Sequence, residues 1–403
     1  MTTYPEEFIR RIPKTDLHVH LDGSLRLPTL IEIAGSEGIE LPSYTPEGLN
    51  ELVFKEQYAN LVEYLHGFAL TTQVMQREEH LERIAWELAQ DNIAEGVRHL
   101  EVRFAPQLHM HEKLSFEAVM YAVDRGLRRA RDEFNATLSP GEPEFDYGII
   151  VIAMRFFTGN FSAYYRALSS VHSHSTADEL IPLASSELAR ATVHLRNESD
   201  VQVVGFDLAG SEDGYPAEDH EEAFDYVHAH FLNKTVHAGE AYGPESIFQA
   251  ITTLHADRIG HGMRLFSPDH IQDPRILDRE LYIQRLINYI AENRTTIEVC
   301  LTSNMQTAQD LERVSQHSLG KMLEHSLSIT FCTDNRLVSH TTVTDEILLA
   351  LGNFDITPKQ LKQIMVYGFK RSFSYKRYQE KRAYVRRVIT QYEALEREYG
   401  IQG

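Results

Sequence analysis

The chain has 403 residues and a formal net charge of −20, from 39 basic and 59 acidic residues. That acidic excess repels a phosphate backbone and argues against nucleic-acid binding. At 42% hydrophobic the chain can bury a large core, yet no apolar run reaches the length of a membrane span.

The N-terminal stretch MTTYPEEFIRRIPK lacks the apolar centre of a signal peptide. The only two cysteines, Cys300 and Cys332, each end an apolar strand-like run. Buried reduced thiols and a cytoplasmic protein are the expectation.

In chain order, the first candidate strand is TDLHVH (15–20). Residues 41–78 follow as a helical insertion, with Leu61, Leu65 and Phe68 on nearby turns; packing on the core and covering the mouth of a site are compatible roles. Seven further strands are expected at HLEVRFA (99–105), YGIIVIAM (147–154), VQVVGFDL (201–208), KTVHA (234–238), RIGHG (258–262), TTIEVC (295–300) and SITFCTD (328–334). Helical spacing fills the gaps, as in EEHLERIAWELAQDNIAEG, and LSPGEPE (138–144) reads as a loop before the third strand. Eight strands alternating with helices predict an α/β fold, a (β/α)8 TIM barrel. With no internal repeat and no persuasive boundary, one domain over 1–403 is expected. Its last segment, about 375–400, reads as a charged amphipathic surface helix.

Four His-x-His pairs occur, and spacing alone does not distinguish them. His228/His230 falls in a helical stretch, where residues two apart face different ways. His172/His174 lies in a polar loop, and His109/His111 follows a strand and borders the site at most. His18/His20 lies on a strand, where residues two apart share a side. Asp22 and Gly23 follow at once.

The active site of such a barrel lies at the C-terminal ends of its strands. Those ends supply His18 and His20, Gly210, His237 and Glu240, His261, then Asp334 and Asn335. Three imidazoles and a carboxylate (His18, His20, His237, Asp334) form a nitrogen–oxygen donor set suited to one Zn2+, with Fe2+ or Mn2+ as alternatives. His261 is left to take a proton from a metal-activated water or to fix its orientation, and Asp334 can serve as both ligand and base. Glu240, three residues after His237, is either a proton shuttle or an acid favoured at a helix start.

The segments KTDLHVHLDGSL, LEVRFAPQLH, VVGFDLAGSE, VHAGE, RIGHG, EVCLTSN and CTDN, in this order over residues 14–335, resemble the adenosine deaminase family of metal-dependent amidohydrolases. The resemblance implies hydrolytic loss of the 6-amino group of a purine nucleoside, with one Zn2+ held by His18, His20, His237 and Asp334. It implies that Glu240 protonates ring N1, that His261 orients and helps deprotonate the water, and that the Gly210 N–H meets N3. It implies substrate contacts from His20, Phe68 and Asp22, the last to a ribose hydroxyl, where the branch acting on free adenine typically has Glu.

Many relatives have two aspartates where this chain has Asp334-Asn335. An Asn amide donates to purine N7 at any pH, so the change suits a purine. Arg26 and Arg336 are candidates for a 5′-phosphate, and Arg103 reads as a buried partner for a carboxylate. Adenosine and 2′-deoxyadenosine lead as substrates. The alternatives are a 5′-modified adenine nucleoside (aminodeoxyfutalosine or 5′-methylthioadenosine), hydrolysis of another amide or ester, and a non-catalytic binding protein. Oligomeric state is not legible.

Overall fold

The computed structural model describes residues 4–59 and 61–401, apart from the side chains of Leu61 and Val62. Of the three apolar positions expected on the insertion, the Leu61 side chain therefore lies outside the described residues.

Eight strands pair in sequence order and all in parallel: β1 (Lys14–His20), β2 (Val97–Phe104), β3 (Asp146–Met154), β4 (Val203–Ala209), β5 (Asn233–Ala238), β6 (Arg258–His261), β7 (Thr296–Val299) and β8 (Ile329–Phe331). Helices follow the strands and cover the outside, which makes a nearly closed TIM barrel. Both strand faces are buried, which explains the near-continuous apolar runs such as YGIIVIAM.

The sheet closes through one residue beyond β8. Asp334 bridges to Val19; its N–H donates to His18 O at 2.8 Å and its O accepts from His20 N at 2.7 Å. β8 is shorter than SITFCTD suggested because Asp334 takes φ +60°, outside the β region. Cys300 and Cys332 are buried free thiols packed with Leu17.

The lower barrel interior holds a network of buried charges. Arg103 pairs with Asp207 at 2.8 Å and Glu298 at 2.9 Å, so the expected carboxylate partner is in fact two. Arg258 pairs with Glu298 at 2.7 Å and with Glu101. Below them Phe373 closes the N-terminal rim, with the Arg258 guanidinium 3.6 Å above its ring and its N–H on Glu101.

The C-terminal helix, Tyr378–Glu398, is amphipathic as expected, and its inner face buries Tyr384, Val385, Val388, Tyr392 and Leu395. Its Arg387 pairs with Glu144, and the preceding Lys376 pairs with Asp146 at 2.7 Å. The insertion forms helices Pro46–Leu52 and Leu61–Val74. Among the described residues no helix is long and apolar enough to cross a membrane.

Candidate active site

The C-terminal ends of the strands open into a cavity of about 860 Å3. Its wall includes His20, Asp22, Phe68, Gly210, His237, Glu240, His261, Asp334 and Asn335. His18 lies just behind them, fully buried. The residues named from the sequence are thus brought together, from five strand ends and one inserted helix. Leu65, Phe68, Ala69 and Thr72 of helix Leu61–Val74 form part of the wall, with the Phe68 ring 6.3 Å from that of His20.

His18, His20, His237 and Asp334 each offer one ligand atom within 4.8 Å of the others. Hydrogen bonds on the far side of two rings test whether this set fits a metal. His18 Nδ1 lies 2.8 Å from Glu298 Oε2, and His237 Nδ1 lies 3.2 Å from Asp207. A carboxylate only accepts, so both rings carry their proton on Nδ1 and turn a bare Nε2 inward. His18 Nε2 is buried without a hydrogen-bond partner, and the facing Nε2 atoms of His20 and His237 are 3.1 Å apart. Converging lone pairs beside the Asp334 carboxylate fit a cation. Three imidazoles, one carboxylate and no thiolate fit a catalytic divalent metal.

The backbone is strained at two of these positions: Asp334 (φ +60°) and His261 (φ +64°) are left-handed although neither is glycine. The Asp334 carboxyl is held in place by Ser303 Oγ, which donates at 2.5 Å. Gly23 is required where the first turn passes Asn335, since a Cβ there would lie 1.8 Å from Asn335 Oδ1. Gly210, at φ +105°, turns the chain after β4 at the cavity wall.

Glu240 lies mostly buried, its side chain 9% exposed, in an otherwise acidic corner. Burial first, then the charges of Asp334 and Glu212, raises its carboxyl well above the usual range; Arg155 opposes this only in part. Its Oε2 is 3.7 Å from His261 Nε2. The sequence reading overlooked what holds it there. The Glu212 carboxylate accepts the backbone N–H groups of Gly239 (3.0 Å), Glu240 (3.1 Å), Ala241 (2.7 Å) and Tyr242 (2.9 Å), and the Ser246 hydroxyl. Glu212 ends the quoted segment VVGFDLAGSE, but nothing local distinguishes it from a surface acid.

Asp22 is raised to about 7, by burial and then the Asp334 charge, and its Oδ1 makes no hydrogen bond, His20 Nδ1 lying 4.0 Å away. Asn335 reaches the wall with its amide nitrogen 2.8 Å from Tyr64 Oη, leaving one amide hydrogen uncommitted.

Other candidates do not join the site. Arg26 pairs with Asp91 at 2.6 Å and Arg336 with Glu95, and neither lines the cavity. His109 is buried against Phe104, and His111 borders a separate groove. His172 and His174 are exposed, as are His228 and His230.

A family model described as adenosine deaminase matches residues 13–391. An adenosine deaminase of Mycolicibacterium vanbaalenii is 34% identical over 367 residues, 91% of each chain. A probable adenosine deaminase of Dictyostelium discoideum is 31% identical over 368 residues, which are 91% of this chain and 41% of that protein's length. A zinc-bound amidohydrolase structure from Burkholderia ambifaria matches with TM-score 0.77 at 20% identity, over 100% of this chain and 96% of that one, a likeness of fold. A barrel that gathers three histidines and an aspartate able to hold a metal beside a glutamate whose carboxyl burial pushes well up, matched along nearly its whole length, belongs to the adenosine deaminase family and is a hydrolytic deaminase.

Proposed function

We propose that this chain catalyses the zinc-dependent hydrolytic deamination of adenosine and 2′-deoxyadenosine to inosine and 2′-deoxyinosine plus ammonia. The observation that carries the reading is the Glu240 carboxyl, 3.7 Å from His261 Nε2 and on the same cavity wall as His20, His237 and Asp334, where burial and the neighbouring acids push its pKa up.

His18, His20, His237 and Asp334 would hold one Zn2+ per chain, and the Burkholderia ambifaria relative is a zinc-bound case of this fold. When bound, the ion supplies a Lewis acid that makes hydroxide available near neutral pH. The protein's own groups do the rest. Glu240 gives its proton to purine N1, because an aromatic C6 is a poor electrophile until that nitrogen is protonated. His261 orients the attacking oxygen, and Asp334 takes the proton that the water releases. C6 then carries both oxygen and amino group; proton transfer to the amino nitrogen lets the C6–N bond break, and ammonia leaves. The Gly210 N–H faces N3, Asn335 faces N7, and Asp22 and Phe68 hold the ribose side. The inserted helix Leu61–Val74 acts as a lid over this end of a single barrel domain.

A second reading, a 5′-modified adenine nucleoside, draws support from cavity size. At about 860 Å3 the space extends past Asp22 to Asn160, Phe161 and Arg166. Such a volume is in the upper part of the range of roughly 300–1,000 Å3 usual for small-molecule pockets.

The test is ammonia release, with ultraviolet detection, from adenosine, deoxyadenosine, adenine, AMP, 5′-methylthioadenosine and aminodeoxyfutalosine, using zinc-loaded and chelated protein. Preference for adenosine, lost on chelation, is expected. Preference for a 5′-modified nucleoside would replace the substrate and keep the chemistry. No turnover of any aminopurine would overturn both.

A further inference from the structure

Behind His261 runs a line of buried polar side chains that the reaction above does not use. His261 Nδ1 lies 3.0 Å from Asn304 Nδ2, and Asn304 Oδ1 lies 3.1 Å from His317 Nε2. His317 Nδ1 in turn lies 3.0 Å from the backbone nitrogen of Leu319. Asn304, His317 and His261 are all buried.

The last contact decides the others. A backbone N–H can only donate, so His317 Nδ1 must accept. The ring is neutral, since a second proton would have to sit on that same Nδ1, against the Leu319 N–H. Its one proton is therefore on Nε2 and is donated to Asn304. Asn304 must meet it with Oδ1, which leaves Nδ2 facing His261. An amide nitrogen also only donates, so His261 Nδ1 is an acceptor. The orientation of an amide and the tautomer of an imidazole are ordinarily free choices. Here a peptide group fixes both.

We propose that the chain from the Leu319 N–H through His317 and Asn304 holds His261 as its Nε2–H tautomer, so that His261 offers the reacting centre a hydrogen-bond donor and not a proton acceptor. Asn304 and His317 are positioning residues that act through His261. The donated hydrogen bond turns an oxygen lone pair towards C6 and stabilises charge that develops on that oxygen. No proton passes along the line, so the water's proton goes to Asp334. This catalytic consequence rests on the deaminase reading; the tautomer does not.

The test uses zinc-loaded protein labelled with 15N-histidine, and long-range 1H–15N correlation of the imidazoles, with His261 assigned by difference against His261→Gln. Wild-type His261 is expected to show the neutral Nε2–H pattern. Asn304→Asp, whose carboxylate accepts from both neighbours, is expected to move it to the Nδ1–H pattern. In that variant kcat falls about 10- to 100-fold, the usual effect of an outer-shell partner, while KM changes less than about threefold and zinc content holds. His317→Leu is expected to lose turnover similarly. His317→Gln, whose amide can accept from Leu319 and donate to Asn304, recovers most of that loss. An Nδ1–H pattern in the wild type would overturn the proposal. So would an unchanged His261 pattern in Asn304→Asp, or a switched pattern with undiminished kcat. A wild-type protein with the Nε2–H pattern but no aminopurine turnover would refute the substrate reading and leave the tautomer standing.

Discussion

The two halves of the barrel interior bury the same kinds of residue and treat them in opposite ways. In the lower half the guanidinium groups meet carboxylates: Arg103 with Asp207 and Glu298, Arg258 with Glu298 and Glu101, although Arg103 Nε itself stays without a hydrogen bond. In the upper half the polar groups are left wanting. His18 Nε2 and Asp22 Oδ1 make no hydrogen bond, the first lying 3.4 Å from Asp334 and the second 4.0 Å from His20, and the Glu240 carboxyl is raised by burial beside other acids. Asp334 and His261 also hold backbone angles that most residues avoid. Full pairing fixes one arrangement, whereas incomplete pairing leaves capacity for a cation, a substrate edge and a proton in transit. Glu298 joins the halves, with one oxygen on Arg258 and the other shared by Arg103 and His18.

Substitutions can break this contrast from either side. Glu240→Gln removes the acid but keeps shape; turnover should fall about 10²- to 10⁴-fold with metal content unchanged, measured by steady-state kinetics and metal analysis. Normal turnover would remove Glu240 from the chemistry. Arg258→Met opens the lower network and should cost about 3–5 kcal/mol in denaturant unfolding, as expected for one member of a buried pair. Metal content should persist there; its loss would mean the two halves are not separable.

Acid should act through buried histidines that line neither the cavity nor the lower charge network. His109 and His317 are lowered to about 4, and His220 to about 3, all chiefly by burial. Below their ordinary pKa of about 6.5 the unfolded chain binds protons that the folded chain refuses. Stability contributed by these rings is therefore present above pH 6.5 and declines as pH falls towards 4, which thermal melts across that window will check. A flat melting temperature would contradict the neutral assignments. The smallest effect is expected at Asn335→Ala, a loss of about 1 kcal/mol in substrate binding, read as a rise in KM with zinc retained. Metal loss there would misplace the residue.

The barrel was legible because strands buried on both faces leave unbroken apolar runs, and the expected eight lie within a few residues of those observed. The candidate ligand cluster was legible because metal chemistry demands particular side chains at strand ends. Its supports were not. Asp207 and Glu298 look like isolated acids within apolar strands, and Glu212 like a surface turn residue. Asn304 and His317 are 13 residues apart, on a short helix and after a 3-10 turn, and only the fold shows that they touch. Their roles depend on which atom of a neighbour faces them, and spacing carries no such information.

The seam of the barrel has a thermodynamic consequence. Asp334 stitches the last strand to the first through two backbone hydrogen bonds to His18 and His20, the same two residues whose rings share its candidate metal cluster. An ion there cross-links positions separated by most of the chain, and closing so long a loop removes much of the freedom of the unfolded polypeptide. Loading would therefore act as a clasp on the whole fold, so the order of folding and metal uptake becomes a question of which closes the ring first.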